Sequence, residues 1–251
     1  MNLQGQPALI AGVRRIGARV ALRLAREGAP LALLYRTSRA EAEATAREVA
    51  DAGGRAVVIQ ADLSSESEVQ RAVRQAADAL GGIANLINLA SSFDRTPFDQ
   101  LDAHAWDRAM NDARGAYLLA VHASRQMMQR LGPTRGHIVF FSDWAAGGTP
   151  YRDYLPYLTA KAAVDFMTRA FAVELAHHGI LVNAIAPGPA LRPPDIAQDV
   201  WDRQVVAQTP LKRESSVDDI AELVVTLLRA QSITGETIRI DSGRHLAGHG
   251  A

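Results

Sequence analysis

The stretch ALIAGVRRIG, Ala8 to Gly17, runs from four apolar residues into a glycine turn, and Arg19 to Glu27 beyond it place apolar side chains at three- and four-residue intervals. A short apolar run suits a strand buried on both faces and the interval suits an amphipathic helix, so the segment predicts strand, tight turn, helix. A glycine turn that opens a helix presents backbone N–H groups and the positive end of the helix dipole, which together receive a pyrophosphate. Gly12, Arg14, Arg15 and Ile16 are therefore candidate cofactor contacts. The alternative is that Gly12 and Gly17 only shape a tight turn.

The alternation continues to the end of the chain. Apolar runs recur at 8–11, 31–35, 56–60, 83–89, 137–141, 180–186 and 237–240, and helical periodicity covers 19–27, 40–52, 66–80, 106–130, 157–176 and 217–228. Strands apolar on both faces, alternating with helices, predict an α/β fold: a single Rossmann-like, doubly wound parallel sheet of about seven strands with helices on both faces. At 251 residues, with no linker, repeat or low-complexity segment, one domain over 1–251 is expected. The Pro-rich run from Pro187 to Pro194 follows a strand, where doubly wound sheets bind ligands, and reads as a mobile substrate loop.

Composition narrows the chemistry. No apolar run approaches the ~20 residues that span a bilayer, and the N-terminal residues lack a basic stretch followed by an apolar one, so no membrane partner and a cytoplasmic location are expected. The chain has no cysteine and a formal charge of zero, which removes thiolate chemistry and weakens any nucleic-acid reading; a small-molecule partner is expected. The 7 histidines show no ligand spacing, His177-His178 close a helix where cations complement the dipole, and no metal is expected. The only lysines are Lys161 and Lys212, against 25 arginines, so a retained Lys marks a place where a compact ammonium is required.

After the second apolar run comes Tyr35-Arg36-Thr37-Ser38. An NAD enzyme usually carries an acid there for the ribose 2′-hydroxyl; a cation and two hydroxyls suit a 2′-phosphate, so NADP(H) is the expected cofactor, with a solvated turn as the alternative. Asp62, beside Leu63, is placed either to accept from an adenine amine or to cap a helix, and Asn88 to hold backbone or cofactor.

Tyr157 and Lys161 stand four apart at the start of a helix that Pro156 helps to set, so both project from one face. An ammonium and an oxidised nicotinamide beside a phenol would favour its phenolate, making Tyr157 a candidate proton donor; chance placement on a helix surface is the alternative. Asp143 follows the apolar run at 137–141 and would orient or protonate substrate, or serve as a loop residue or helix cap. Asn111 is polar among apolar residues and would bond a carbonyl or a water, or face solvent.

These residues resemble the short-chain dehydrogenase/reductase family over nearly the whole chain, from ALIAG to TGETIRIDSGRHL. The likeness includes Tyr157-x-x-x-Lys161, Asn111 of the usual catalytic tetrad, Pro187-Gly188 and Asp241-Ser242-Gly243. Within the family the chain is most similar to the pteridine reductase and dihydromonapterin reductase branch, through Arg15 in place of a middle glycine, Tyr35 to Ser38, Ala90-Ser91-Ser92-Phe93, and Asp143 in place of the usual catalytic Ser. It departs from the family pattern at Ala11, at Leu89 and in a glycine loop one residue shorter than usual.

The resemblance implies an NADPH-dependent reductase of a dihydropterin, dihydromonapterin or dihydrofolate-like substrate. It implies a pterin stacked between the nicotinamide and Phe93, with Ser91 and Arg15 near pterin and cofactor phosphate and Leu191 beside the substrate. Ala90, Pro187 and Gly188 would touch the cofactor, Lys161 would hold the nicotinamide ribose, and Asp143 and Tyr157 would deliver the proton. A homotetramer packed through the helices at 106–130 and 157–176 is also implied. Two alternatives stand beside this reading: a reductase of another carbonyl substrate (a ketoacyl group, a quinone or a small ketone) using the same Tyr157 and Lys161, and a non-catalytic NADPH-binding sensor.

Overall fold

Short polar side chains set several helix starts in this chain. Ser65 accepts from the Glu68 N–H, Asp102 from the Ala105 N–H and Ser216 from the Asp219 N–H, satisfying donors that have no partner within the first turn. The computed structural model describes residues 2–193 and 196–247; Pro194, the end of the predicted substrate loop, lies outside the described residues. In chain order the main elements are β1 (Ala8–Ala11), α1 (Ile16–Arg26), β2 (Leu31–Tyr35), α2 (Arg39–Asp51), β3 (Ala56–Gln60), α3 (Glu66–Leu80) and β4 (Asn85–Asn88). There follow α4 (Ala103–Met127), β5 (Gly136–Phe141), α5 (Leu155–Leu175), β6 (Ile180–Pro187), α6 (Gln198–Gln204), α7 (Val217–Arg229) and β7 (Thr237–Ile240).

The strands form one seven-stranded sheet in the order β3-β2-β1-β4-β5-β6-β7. All its pairings are parallel, as the double-sided apolar runs predict. Strand alternation divides the core in two. Leu9 and Ala11 face a cluster built with Val69, Ala72, Leu119, Met127 and Val164, from α3, α4 and α5. Ala8 and Ile10 face the other, with Val20, Leu24, Val49, Val224 and Leu228, from α1, α2 and α7. Arg19 and Arg23 of α1 pair with Asp218 and Glu222 of α7, but those pairs are solvent-exposed, so Val20, Leu24, Val224 and Leu228 carry the join. The predicted strand at 83–89 forms ladder bonds only at its centre, and the helix predicted from 106 begins three residues earlier, where Asp102 caps it. No helix among the described residues is long and apolar enough to cross a membrane.

One buried group in this sheet is chemically exposed to pH. His137 of β5 lies opposite Asn85 of β4, is 1% exposed, and neither ring nitrogen has a hydrogen-bond partner among the described residues. Burial pushes its pKa down from the ordinary value of 6.5 to about 4. The unfolded chain binds a proton at the ordinary value while the folded chain does not, so stability falls as pH drops from the first value toward the second. The shift corresponds to a loss of about 3 kcal/mol across that window. Urea denaturation of the parent and of His137→Leu from pH 7 to pH 4 should show this slope in the parent and a shallower one in the variant. Equal slopes would remove His137 as the cause.

Candidate active site

At the carboxyl ends of β1 and β4, where the strand order reverses, lies a cleft of about 910 Å³. Gly12 turns the chain there with φ +87°, and a Cβ on it would lie 2.6 Å from the Ala90 backbone nitrogen, so only glycine lets the two loops approach this closely. Helix α1 then opens with no side-chain cap and no acid in its first turn, and Gly12, Arg14, Arg15 and Ile16 all line the cleft. Its donors suit an anion. Arg15, at φ +54°, reaches across to the loop after β6 and donates to the carbonyls of Leu191 at 2.6 Å and Arg192 at 3.2 Å.

Tyr35, Arg36, Thr37 and Ser38 line the same cleft, and Ser38 precedes α2 without spending its side chain on a cap. Arg14 lies 3.8 Å from Glu41 on the exposed rim. This donor set suits a phosphate on a ribose. Asp62 lines the cleft with Leu63, but its Oδ1 accepts from the Ser64 N–H at 2.9 Å and the Ser64 hydroxyl at 2.8 Å. Those bonds, followed by the charge of Arg36, hold its carboxyl below the usual range. The cap of α3 is Ser65, not Asp62. Asn88 is buried and does not line the cleft; its Oδ1 accepts from the Ala90 N–H at 3.2 Å, so it holds the β4 turn rather than reaching into the cleft. Pro187, Gly188, Ala90 and Ser91 do line it.

The chemical end is built by β5, the loop after it and α5. Pro156 sits in the first turn of α5, and Tyr157 and Lys161 follow on its buried face. Asp143 is 8% exposed, and three donors converge on it: the Ala145 N–H on Oδ1 at 2.9 Å, and the hydroxyls of Tyr157 at 2.9 Å and Tyr151 at 3.2 Å on Oδ2. Burial pushes the Asp143 carboxyl up while these bonds and Lys161 oppose it. Lys161 is buried; its Nζ donates to the Phe141 carbonyl at 2.8 Å and stands 5.7 Å from the Tyr157 ring centroid. Burial first, and the negative charge of Asp143 second, hold Tyr157 well above its ordinary value, while burial lowers Lys161. Both effects keep the proton on the Tyr157 hydroxyl.

Phe93 stands at the mouth, half exposed, stacked on Tyr154 at 4.7 Å and edge-on to Tyr157 at 5.0 Å. Asn111 is exposed on the cleft rim and makes no hydrogen bond among the described residues. Its neighbour Asp112 is the engaged side chain: Oδ2 accepts from the Ser92 N–H and hydroxyl, both at 2.7 Å, anchoring the loop that carries Phe93. The Ser91 hydroxyl donates to the Ser92 carbonyl at 2.8 Å.

Residues 10–245 match the family model described as enoyl-(acyl carrier protein) reductase. The chain belongs to the short-chain dehydrogenase/reductase family. It is 35% identical to an uncharacterized oxidoreductase of Escherichia coli, YohF, over 92% of each chain. A short chain dehydrogenase from Burkholderia cenocepacia, solved in complex with NADP, superposes with a TM-score of 0.89 at 33% identity over 97% of this chain and 99% of the other. FolM alternative dihydrofolate reductase 1 from Brucella canis, also complexed with NADP, gives a TM-score of 0.88 at 34% identity over 99% and 98%.

Several residues of this short-chain reductase cleft were not singled out from sequence: Asp112, Trp144, Tyr151, Tyr154 and Arg244, which stands 5.0 Å over the Trp144 ring. Three tyrosines within seven residues, Tyr151, Tyr154 and Tyr157, signal an aromatic cluster there but not the bond from Tyr151 to Asp143. No cluster of three or more His, Asp or Glu that would hold a metal occurs among the described residues. Removing the Asp112 carboxylate leaves two donors of Ser92 without their acceptor, so Asp112→Ala should cost about 1 kcal/mol of stability. Urea unfolding measures this, and an unchanged midpoint would contradict the anchoring role.

Proposed function

We propose that this protein is an NADPH-dependent reductase that saturates a ring C=N bond of a pterin-type substrate: a dihydropterin, dihydromonapterin or dihydrofolate-like compound. The observation that carries this reading is the buried carboxylate of Asp143 bonded to the Tyr157 hydroxyl. A ketone needs one phenol supported by a hydroxyl, whereas a pterin offers ring N–H and amino groups that a carboxylate can accept from. The identity with the Brucella canis protein supports the same substrate class.

When bound, the cofactor supplies the hydride. The glycine loop and the α1 N-terminus, with Gly12, Arg14, Arg15 and Ile16, would receive its pyrophosphate, and Arg36, Thr37 and Ser38 its 2′-phosphate. Leu63, Ala90, Pro187 and Gly188 would frame its rings, and Lys161 would bond the nicotinamide ribose. Phe93 offers a face for a flat ring. Ser91 and Leu191 lie at the edges of that space. Asp143 orients the substrate and Tyr157 gives its proton to the substrate nitrogen. Arg15, bonded to the carbonyls of Leu191 and Arg192, ties the loop after β6 to the glycine loop.

A second reading, reduction of another carbonyl substrate by Tyr157 and Lys161, draws on the fact that both phenols already occupy Asp143 Oδ2, leaving Tyr157 as the one proton source that such a reaction needs. We further propose one domain, a cytoplasmic location, and a tetramer packed through α4 and α5. The exposed Tyr117, Phe166 and Val173 on those helices support the assembly, and light scattering tests it.

NADPH oxidation with dihydropterins should fall by a factor of about 10² or more in Tyr157→Phe and be impaired in Asp143→Asn. Full activity of Asp143→Asn on the true substrate would favour the carbonyl reading, and tight NADPH binding with no turnover across a broad panel would favour a sensor. Arg36→Ala should weaken NADPH binding about tenfold or more while sparing NADH. Equal effects on both would show that Arg36 does not meet the 2′-phosphate.

A further inference from the structure

We infer that Tyr151 is a positioning residue for proton delivery: by donating to Asp143 it keeps the carboxylate satisfied at the moment Tyr157 turns its own proton to the substrate. This rests on Tyr157 as the proton donor.

Asp143 is nearly excluded from water, and a carboxylate in that position depends on its protein donors. Two of the three, Tyr151 and Tyr157, share one oxygen, Oδ2. In the reaction the Tyr157 O–H bond breaks, its proton forms an N–H bond on the substrate as hydride arrives from the reduced nicotinamide, and a phenolate remains until solvent returns a proton. The Tyr157 bond to Asp143 is therefore lost during each turnover, and a second negative charge forms beside the carboxylate. Tyr151 keeps its proton throughout and is the side-chain donor that stays.

Its placement fits that task. The Tyr151 ring stacks on Trp144 at 5.8 Å and meets Tyr154 edge-on at 5.1 Å, so its hydroxyl is fixed by ring contacts that do not depend on the Tyr157 hydroxyl. Tyr151 and Asp143 belong to the same connection between β5 and α5, so their bond does not require Tyr157 to keep its own. The other charged or titratable groups around Asp143 are Lys161 of α5, which favours its ionised form, Tyr154, Asp112 of α4, which acts on Tyr157 and Lys161, and Arg244 beyond Trp144.

The test uses the NADPH-bound protein without substrate. Infrared difference spectra across pH, assigned with Asp143→Asn, follow the Asp143 carboxylate directly. With one donor lost, Tyr151→Phe should raise its titration by about one pH unit, and with substrate the pH–rate limb that follows Asp143 should move the same way with kcat about tenfold lower. The phenyl ring preserves the stacking on Trp144, so NADPH affinity should stay at the parent value. An Asp143 titration that superimposes on the parent's would overturn the inference. If Tyr151→Phe does not fold, tyrosine labelled with 13C at Cζ gives the same answer in the unsubstituted protein: two phenol signals should follow the carboxylate titration, and a single responding phenol would overturn it. The shifted titration with no turnover of any pterin would keep this inference and discard the pterin reading; an unshifted titration with pterin turnover would do the reverse.

Discussion

Strand β1 is bonded on both edges, to β2 through Ala8↔Leu31 and to β4 through Ala8↔Asn85, and the chain leaves it in opposite directions on the two sides. A right-handed crossover in each direction puts helices on opposite faces of the sheet, so between the carboxyl ends of β1 and β4 neither layer fills the space. The cleft is a consequence of that pairing. The same register carries the two loops so close that a Cβ at Gly12 would meet the Ala90 backbone nitrogen, and Asn88 spends its side chain holding that turn. Conformational freedom at Gly12, which lines the cleft, and a buried amide at Asn88, which does not, are thus both structural conditions for the binding site.

The strands were legible because parallel pairing buries both faces and leaves an unbroken apolar run in the sequence, as at LALLY and AVVIQ. Tyr157 and Lys161 were legible for a local reason, since spacing along a helix fixes which side chains share a face. Asn111 against Asp112 shows the limit. Neighbouring helical residues point about 100° apart, and the periodicity around them does not decide which of two polar residues at the boundary turns inward. Only the Ser92 loop arriving from β4 does, and its contact spans 20 residues of sequence. The convergence of Tyr151 on Asp143 is hidden likewise, because a loop conformation and not a period brings them together. The seven-residue α6 lies below the length at which periodicity separates a helix from a loop.

The proton affinity of Tyr157 is only partly visible in the sequence, for a physical reason. Sequence spacing reveals the ammonium four residues away, but it reveals neither the desolvation that disfavours any charge there nor the carboxylate already bonded to the hydroxyl. Those two effects outweigh the lysine in the resting site. In the proposed transfer the phenol would be neutral before and anionic after, so the nearby positive charge of Lys161 would do most for the state in which the proton has left. A compact ammonium bonded to the Phe141 carbonyl fits a space that is 7% exposed, where a guanidinium fork would not, and this accounts for a lysine in a chain whose other cations are, with the exception of Lys212, arginines. Asp143 stands on the opposite side of the same balance: its charge holds the proton on Tyr157, and in the proposed transfer the repulsion it would exert afterwards is what Lys161 would offset.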